Sequence, residues 1–170
     1  MSGNTLPAEV QPSELRPIGL FGGLTDENLQ HLADTLQVLT PPPGQTLFRE
    51  GDEGRDMFVV LEGEVEVLKR SRTGTDARVA LLGPGDWFGE MSILDVQPRS
   101  ATVQGLAPAR LLRIRTQDLE ALYRQDIKAY SLVVLNLARE LSRRLRVADA
   151  MIADFVADFL DSYLPSSRRR

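Results

Sequence analysis

A glutamate and an arginine nine residues apart, each beside small residues, are the strongest candidates for chemistry in this chain. Glu90 follows Gly89, and Arg99 precedes Ser100 and Ala101. A guanidinium can hold two phosphate oxygens at once, a serine hydroxyl can donate to the same group, and a carboxylate accepts from a sugar hydroxyl. The segment that carries these residues therefore suits a small ligand with both an anion and a hydroxyl, such as a sugar phosphate.

The backbone of the same segment adds to this expectation. If Glu90 begins a short helix after Gly89, unpaired N–H groups at the start of that helix would face an approaching anion. Gly89 has no side chain to obstruct close approach. We also expect Glu90 to form an ion pair with Arg99 that orients the arginine while the pocket is empty. Two or three charge-assisted bonds of about 1.5–3 kcal/mol each, with burial of an apolar base, predict micromolar affinity.

The composition excludes several classes of protein. The 170 residues fit one domain with an appendage, and a hydrophobic content of 42% is enough for a buried core. There is no cysteine and a single histidine, His31, which excludes disulfides, thiolate sites and sites with several histidines. We find no nucleophile with a base and no cluster of metal ligands, so we expect neither an enzyme nor a metal site.

Charge and hydropathy bear on partners and location. A net charge of −4 gives no general attraction for nucleic acid. No apolar run approaches the roughly 20 residues of a membrane span, and the polar N-terminus lacks the apolar core of a signal peptide. We expect a cytoplasmic protein that binds neither DNA nor a membrane.

Glycine and proline divide the chain into two parts. All 13 glycines lie at or before Gly105, and nine of the 10 prolines lie at or before Pro108. The front part predicts short strands between turns, typical of a β-sandwich or barrel, and the back part predicts helix. The predicted strands are Thr46–Arg49, Met57–Leu61, Val65–Lys69, Arg78–Leu82, Ser100–Gln104 and Leu111–Arg115, the third and fourth forming a hairpin.

Helices are predicted on both sides of the strands. Residues 1–17 carry three prolines and predict a loosely ordered lead, and Thr25 predicts the N-cap of a helix over 26–38. Thr116 predicts the cap of a further helix. Apolar residues then recur every three or four positions from 127 to 159, a heptad-like stripe. Such a stripe must pack on the β-domain, on a partner chain or on both, and we expect a homodimer.

Several motifs in a fixed order carry a resemblance to a known family. Phe-Gly-Glu at 88–90, Asp95–Pro98 and Arg-Ser-Ala-Thr-Val at 99–103 resemble the phosphate-binding cassette of the cyclic-nucleotide-binding domain family. Leu-Glu-Gly-Glu-Val-Glu-Val at 61–67 and Gly-Pro-Gly-Asp at 83–86 resemble further family motifs. The resemblance implies a mainly β fold, a β-roll or jelly roll with flanking helices and a long C-terminal helix.

The resemblance also implies roles for individual residues. It places Glu90 on the ribose 2′-hydroxyl and Arg99 on the cyclic phosphate of cyclic AMP or cyclic GMP. Ser100 leaves the choice of base open, because in the family a hydroxyl there serves either the phosphate or a guanine amino group. The implied ligand-binding set is Val67, Val79, Gly89, Glu90, Met91, Ser92, Arg99, Ser100 and Ala101, of which Val67, Val79 and Met91 would form an apolar wall beside the base.

The C-terminal part determines the expected output. Residues 137–146 look like the dimer helix of catabolite-activator relatives, which continue into a helix-turn-helix domain. Only 24 residues follow Arg146, too few for that domain. We therefore expect a flexible lead over 1–17, a binding domain over 18–146, and a helical extension with a basic tail over 147–170. The expected function is a stand-alone sensor that signals to a separate protein effector through helix rearrangement.

Two alternatives remain open at this point. The chain could be a dimeric, helix-mediated interaction module on the same fold that binds no cyclic nucleotide. The arginines at 143, 144 and 146 form either a solvated helix face or a group that approaches the ligand or an acidic partner.

Overall fold

Eight short strands form two four-stranded antiparallel sheets in residues 9–163, the part of the chain that the computed structural model describes. The strands are β1 (Gln37–Leu39), β2 (Thr46–Phe48), β3 (Asp56–Glu62), β4 (Val65–Arg70), β5 (Asp76–Leu82), β6 (Trp87–Phe88), β7 (Thr102–Gly105) and β8 (Arg110–Arg115). The sheet orders are β1-β8-β3-β6 and β2-β7-β4-β5. With the flanking helices, this is the β-roll that the sequence predicts.

The predicted strands are all present, each within two residues of its predicted bounds. The predicted hairpin is confirmed, since β4 pairs with β5 from Val65 opposite Leu82. The turn before β4 requires glycine: Gly63 has φ +81°, and a Cβ there would lie 2.3 Å from the carbonyl oxygen of Pro108. Two strands escaped prediction, β1 and β6, which are three and two residues long.

The helix predicted after Thr25 begins where the sequence predicts and ends three residues early. The helix predicted over 26–38 is α2 in the structure and ends at Thr35 (Asp26–Thr35), capped by the side chain of Thr25. The prediction was wrong beyond Thr35 because Val38 pairs with Leu112 in the sheet and is buried there.

The N-terminal segment packs on the domain. Its described part is not a loose lead: Pro12–Leu15 form α1, and a 3-10 helix follows over Gly19–Phe21. Val10 and Leu15 are buried in the apolar cluster that lies between one sheet and the helices. The segment therefore shields this part of the cluster from water. Residues 1–8 and 164–170 lie outside the described part of the chain, and the latter hold the end of the extension and basic tail predicted over 147–170.

Two apolar clusters hold the domain together. One fills the space between the sheets and includes Phe58 and Phe88, whose rings stack with their centroids 5.4 Å apart. The other lies between one sheet and the helices and includes Met57 and Leu112. The one-turn helix α3 (Met91–Leu94) and the loop after it lie between β6 and β7 in sequence. The site described below is built on this connection.

Two helices follow the last strand, α4 (Thr116–Gln125) and α5 (Ile127–Tyr163). The side of α5 that packs on the domain carries Ala129, Val133 and Leu137, all buried, whereas Ile127 of the predicted stripe is exposed. Asn136 donates hydrogen bonds to the carbonyls of Leu20 and Gly22, 3.1 and 3.0 Å away. Among the described helices, none is both long and apolar enough to cross a membrane.

Candidate functional site

The connection after β6 begins with Gly89. Any other residue at this position would force neighbouring atoms to move. Gly89 has φ +83°, and a Cβ there would lie 2.8 Å from Nη1 of Arg99 and 3.2 Å from the carbonyl oxygen of Asp56. Glu90 then serves as the N-cap of α3, and its carbonyl accepts bonds from the N–H groups of Ile93 and Leu94. Because α3 is a single turn, it contributes N–H donors to the site but little macrodipole.

Arg99 is charged and yet only 5% exposed, and several contacts hold its side chain in place. Its Nη1 donates to the carbonyl oxygens of Asp56 and Gly89, at 2.6 and 3.2 Å. Its Nη2 donates to the carboxylate of Asp56. Cζ of Arg99 lies 4.0 Å from the ring centroid of Phe48, which adds a cation–π contact. The guanidinium is thereby fixed in one orientation.

One donor of this guanidinium is left without a partner. Nε of Arg99 is buried and makes no hydrogen bond within the described residues. A Cβ at Gly54 would lie 2.3 Å from that same nitrogen, so a side chain there would displace the guanidinium. A cavity of about 400 Å³ opens on the Gly54 side, lined by residues 53–55 and 96–98.

The carboxylate that pairs with Arg99 is Asp56, and the predicted ion pair between Arg99 and Glu90 was wrong. Asp56 opens β3 and also binds Arg113 of β8, whose Nη2 and Nε lie 2.6 and 2.7 Å from its Oδ2. One buried carboxylate therefore holds two guanidinium groups. Asp56 was not among the predicted site residues, although a charged residue directly before the apolar run of β3 was a signal in the sequence.

Glu90 instead faces the long helix. Oε1 of Glu90 lies 3.3 Å from Nη1 of Arg144, and Nη2 of the same arginine donates to the carbonyl oxygen of Trp87 at 2.8 Å. Nε of Arg144 lies 3.3 Å from Glu140. Of the two open readings of the basic cluster, Arg144 therefore approaches the site rather than only solvent. Nε1 of Trp87 is buried and unpaired within the described residues, with the Arg144 guanidinium 6.0 Å from the indole ring.

Burial dominates the electrostatics of Glu90. The side chain is 95% covered, and this desolvation raises the pKa of its carboxyl above the ordinary value, while the charge of Arg144 lowers it only in part. A buried carboxylate with one long ion pair and a raised pKa readily accepts a further hydrogen bond. A ribose hydroxyl is a donor of that kind.

The remaining predicted residues lie partly on this connection (Met91, Ser92, Ser100 and Ala101) and partly on β4 and β5 (Val67 and Val79). Ser92 is buried within α3, and Ser100 is exposed with its hydroxyl 3.5 Å from the sulfur of Met91. Val79 and Met91 are 58% and 52% exposed, so both are accessible to a ligand. Val67 packs partly buried against the core between the sheets.

The end of the connection is held by residues that the sequence did not point to. Nζ of Lys69 donates to the carbonyl oxygen of Ser100 and to Oε1 of Glu50, the latter at 2.8 Å. The N–H of Glu50 in turn donates to the hydroxyl of Thr102 at 3.0 Å. These bonds tie β4 and the loop after β2 to the residues around Ala101. In the described part of the chain, no group of histidine, aspartate and glutamate side chains could hold a metal ion.

Comparison with known proteins places this geometry in context. The model of the cyclic nucleotide-binding domain matches residues 39–126. The cyclic AMP receptor protein of Thermus thermophilus is 38% identical over 130 residues, which are 76% of this chain and 58% of that protein. A CRP-like cAMP-activated global transcriptional regulator of Mycobacterium tuberculosis is 31% identical over 138 residues, 81% of this chain and 60% of that one.

A solved structure shares the fold over most of both chains. The cyclic nucleotide-binding domain from Methylobacillus flagellatus superposes with a TM-score of 0.78 at 28% identity, over 84% of this chain and 83% of that chain. The chain spans about three fifths of the length of the two curated relatives.

Proposed function

Because the chain belongs to the cyclic nucleotide-binding domain family, we propose that it is a regulatory protein that binds a cyclic nucleotide, with cyclic AMP preferred to cyclic GMP. Two relatives that cover most of this chain are named for cyclic AMP, which supports the order of preference. The exposed hydroxyl of Ser100 keeps cyclic GMP as the second ligand to be tested.

The proposed contacts divide the ligand into an anion and a sugar. Arg99 and the N–H groups around Gly89 and Ala101 receive the cyclic phosphate, and Ser100 donates its hydroxyl to the same group. Glu90 accepts a hydrogen bond from the ribose 2′-hydroxyl. Ser92, two residues later in α3, is also part of the proposed site. Val67, Val79 and Met91 remain the proposed apolar contacts of the base.

The observation that supports this proposal most strongly concerns Arg99. Its guanidinium is almost fully buried and nevertheless has an unpaired N–H. Leaving a buried donor unsatisfied costs about 1–3 kcal/mol, and the cost is greater at a charged group. Phosphate oxygens are acceptors that fit a guanidinium fork. Asp56, Gly89 and Phe48 hold the group in one orientation, so little side-chain entropy remains to be lost when a phosphate binds.

The contacts of Arg144 supply a route from ligand to helix. A ribose hydroxyl that donates to Glu90 draws on the same carboxylate charge that attracts Arg144, whose single bond to Glu90 is already long at 3.3 Å. The contact of Arg144 with Glu90 then weakens, whereas the hydrogen bonds of Asn136, eight residues earlier on α5, stay in place. We propose that the ligand repositions the part of α5 beyond Leu137, and that this change is read by a separate protein effector. By linkage, an effector that prefers the bound state must also tighten ligand binding.

A titration of the full chain with cyclic AMP and with cyclic GMP by calorimetry tests this function. We expect micromolar binding of cyclic AMP and weaker binding of cyclic GMP. If neither nucleotide binds or shifts the melting temperature, the proposed ligand is wrong. A stable dimer under those conditions would favour the interaction module that binds no nucleotide.

A further inference from the structure

The peptide bond between Ser100 and Ala101 lies at the end of the proposed phosphate site and is held from one side. Its carbonyl oxygen, that of Ser100, accepts a hydrogen bond from Nζ of Lys69. Its N–H, that of Ala101, donates to no other group among residues 9–163. The carbonyl oxygen and the N–H of a trans peptide point in opposite directions. A ligand that accepts from this N–H therefore lies on the side of the peptide away from Lys69.

The position of Lys69 follows from the alternation of side chains along β4. Val65, Val67 and Lys69 share one face of this strand. The two valines pack on the core between the sheets, and Lys69 stands where the strand runs past that core. Because β4 pairs with β7 up to Leu68 opposite Thr102, the next residue of β4 comes to lie beside the Ser100–Ala101 peptide.

Glu50 holds the ammonium group of Lys69 from a second direction. Oε1 of Glu50 lies 2.8 Å from Nζ of Lys69, and Oε2 accepts from the N–H of Arg70 at 3.1 Å. The N–H of Glu50 itself donates to the hydroxyl of Thr102 at 3.0 Å. The hydrogen bond from Lys69 lowers the pKa of the Glu50 carboxyl, so this anchor stays charged. Lys69 is half-exposed, yet its head group is set by bonds to the loop after β2 and to the cassette.

Two effects on the N–H of Ala101 follow from this arrangement. The bond to Lys69 fixes the plane of the peptide, so less freedom remains to be lost when an anion accepts from the N–H. A positive charge at the carbonyl oxygen also polarises the amide, and hydrogen bonds in such a chain strengthen one another. Both effects favour an anion at Ala101, and neither needs Lys69 to reach it.

We propose that Lys69 is a positioning residue for the phosphate, which orients and polarises the N–H of Ala101 without contacting the ligand. This role rests on the proposed function, since the anion is the phosphate of the cyclic nucleotide. It extends the site from the connection after β6 to the end of β4 and to Glu50, which holds Lys69 in place.

Calorimetry of the full chain with cyclic AMP measures the contribution to affinity. Lys69→Met removes the ammonium group and keeps an apolar side chain of similar length. We expect it to bind about three- to tenfold more weakly, less than for a buried charge-assisted bond because Lys69 is half-exposed. Lys69→Arg keeps the charge and should restore most of the affinity. Glu50→Gln, which loosens Lys69, should change binding in the same direction and by less.

Arg70→Met is the matched control for the loss of charge. Arg70 follows Lys69 directly on β4, and its side chain is 73% exposed and lies 3.9 Å from Asp76. Successive side chains of a strand point to opposite faces, so Arg70 points away from the Ser100–Ala101 peptide. We expect Arg70→Met to bind within about twofold of the parent chain. Circular dichroism shows whether each variant is folded.

An isotope label on this one peptide separates positioning from a general effect of charge. Ser100-Ala101 is the only serine–alanine pair in the chain, so ¹³C-carbonyl serine with ¹⁵N alanine gives a single correlation in the NMR spectrum. In the ligand-free chain, Lys69→Met should move the Ser100 carbonyl signal upfield, because its hydrogen bond is lost. Saturating cyclic AMP should move the Ala101 amide proton downfield in the parent chain and in Arg70→Met, and less in Lys69→Met.

The positioning role is overturned if Lys69→Met binds cyclic AMP as the parent does or if Arg70→Met loses as much affinity. It is also overturned if Lys69→Met loses affinity while its Ala101 amide responds as in the parent. If calorimetry detects no binding of cyclic AMP to the parent chain, the proposed function fails. Titration of the labelled peptide with inorganic phosphate then decides the role of Lys69: a downfield shift at Ala101 that Lys69→Met abolishes supports it, and no shift overturns it.

Discussion

Replacing Arg99 with lysine probes the proposed phosphate contact most directly, because the change keeps the positive charge and removes the guanidinium fork. Arg99 uses Nη1 and Nη2 together on Asp56 and has Nε left over. A single ammonium group cannot reproduce these directions at once. We expect Arg99→Lys to fold and to bind cyclic AMP more weakly than the parent chain.

The magnitude follows from the number of bonds that the fork makes. Asp56 leaves Nε and the second N–H of Nη2 on one edge of the guanidinium. A bidentate phosphate contact at that edge contributes two charge-assisted hydrogen bonds of about 1.5–3 kcal/mol each, and a lysine at this position retains one at most. The ammonium must also choose between the phosphate and Asp56. A loss of about 3 kcal/mol corresponds to roughly a hundredfold weaker binding.

Calorimetry with cyclic AMP measures the affinity, and urea unfolding followed by circular dichroism shows that the variant is folded. Arg113→Lys is the matched control, since Arg113 binds the other oxygen of the same Asp56 but is 36% exposed and lies on β8. We expect Arg113→Lys to bind within threefold of the parent. If Arg99→Lys is folded and also binds within threefold, or if both variants lose affinity equally, Arg99 does not contact the phosphate directly.

Three further predictions concern the surroundings of this contact. Because burial raises the pKa of Glu90, the folded state holds a proton at pH values where the unfolded chain has released it. The unfolding free energy should therefore fall as pH rises from 4.5 through the raised pKa. Glu90→Gln should remove that part of the pH dependence, measured by urea unfolding at several pH values. Gly54→Ala should displace Arg99 and weaken cyclic AMP binding at least tenfold in calorimetry, whereas Gly83→Ala, where a Cβ meets open space, should bind as the parent does; equal affinities would contradict the packing argument. Arg144→Gln should leave the fold intact and raise hydrogen exchange in residues 138–146 of α5, measured by mass spectrometry, and unchanged exchange there would show that Arg144 does not tie the helix to the site.

The β-roll was predictable because its signals are local. Glycine, proline and acid–glycine turns bound each strand of four residues or more, so the apolar runs between them could be read directly. Strand β1 was not predictable in the same way: Val38 continues the apolar pattern of α2, and only its pairing with Leu112, 74 positions further on, makes it a strand. The described part of the N-terminal lead failed for a similar reason, since the core that buries Leu15 is assembled from distant elements.

The site was predictable in its residues and not in its pairings. Glu90 and Arg99 stood out by type and spacing, and nearness in sequence suggested that they pair with each other. The fold instead brings Asp56 to Arg99 and Arg144 to Glu90, across separations of 43 and 54 residues. A sequence carries few signals for such contacts, because the partner of a buried charge is chosen by the sheet register and by the position of α5 on the domain.

The placement of Trp87 beneath Arg144 has a spectroscopic consequence. It is the only tryptophan of the chain, and its indole is buried with its N–H unpaired in the described structure. Its emission maximum should therefore lie at short wavelength while α5 covers it and move to longer wavelength when Arg144 leaves and water reaches the ring. The chain thus carries an intrinsic fluorophore at the point where helix and site meet, and stopped-flow emission can time the movement of α5 without any added label.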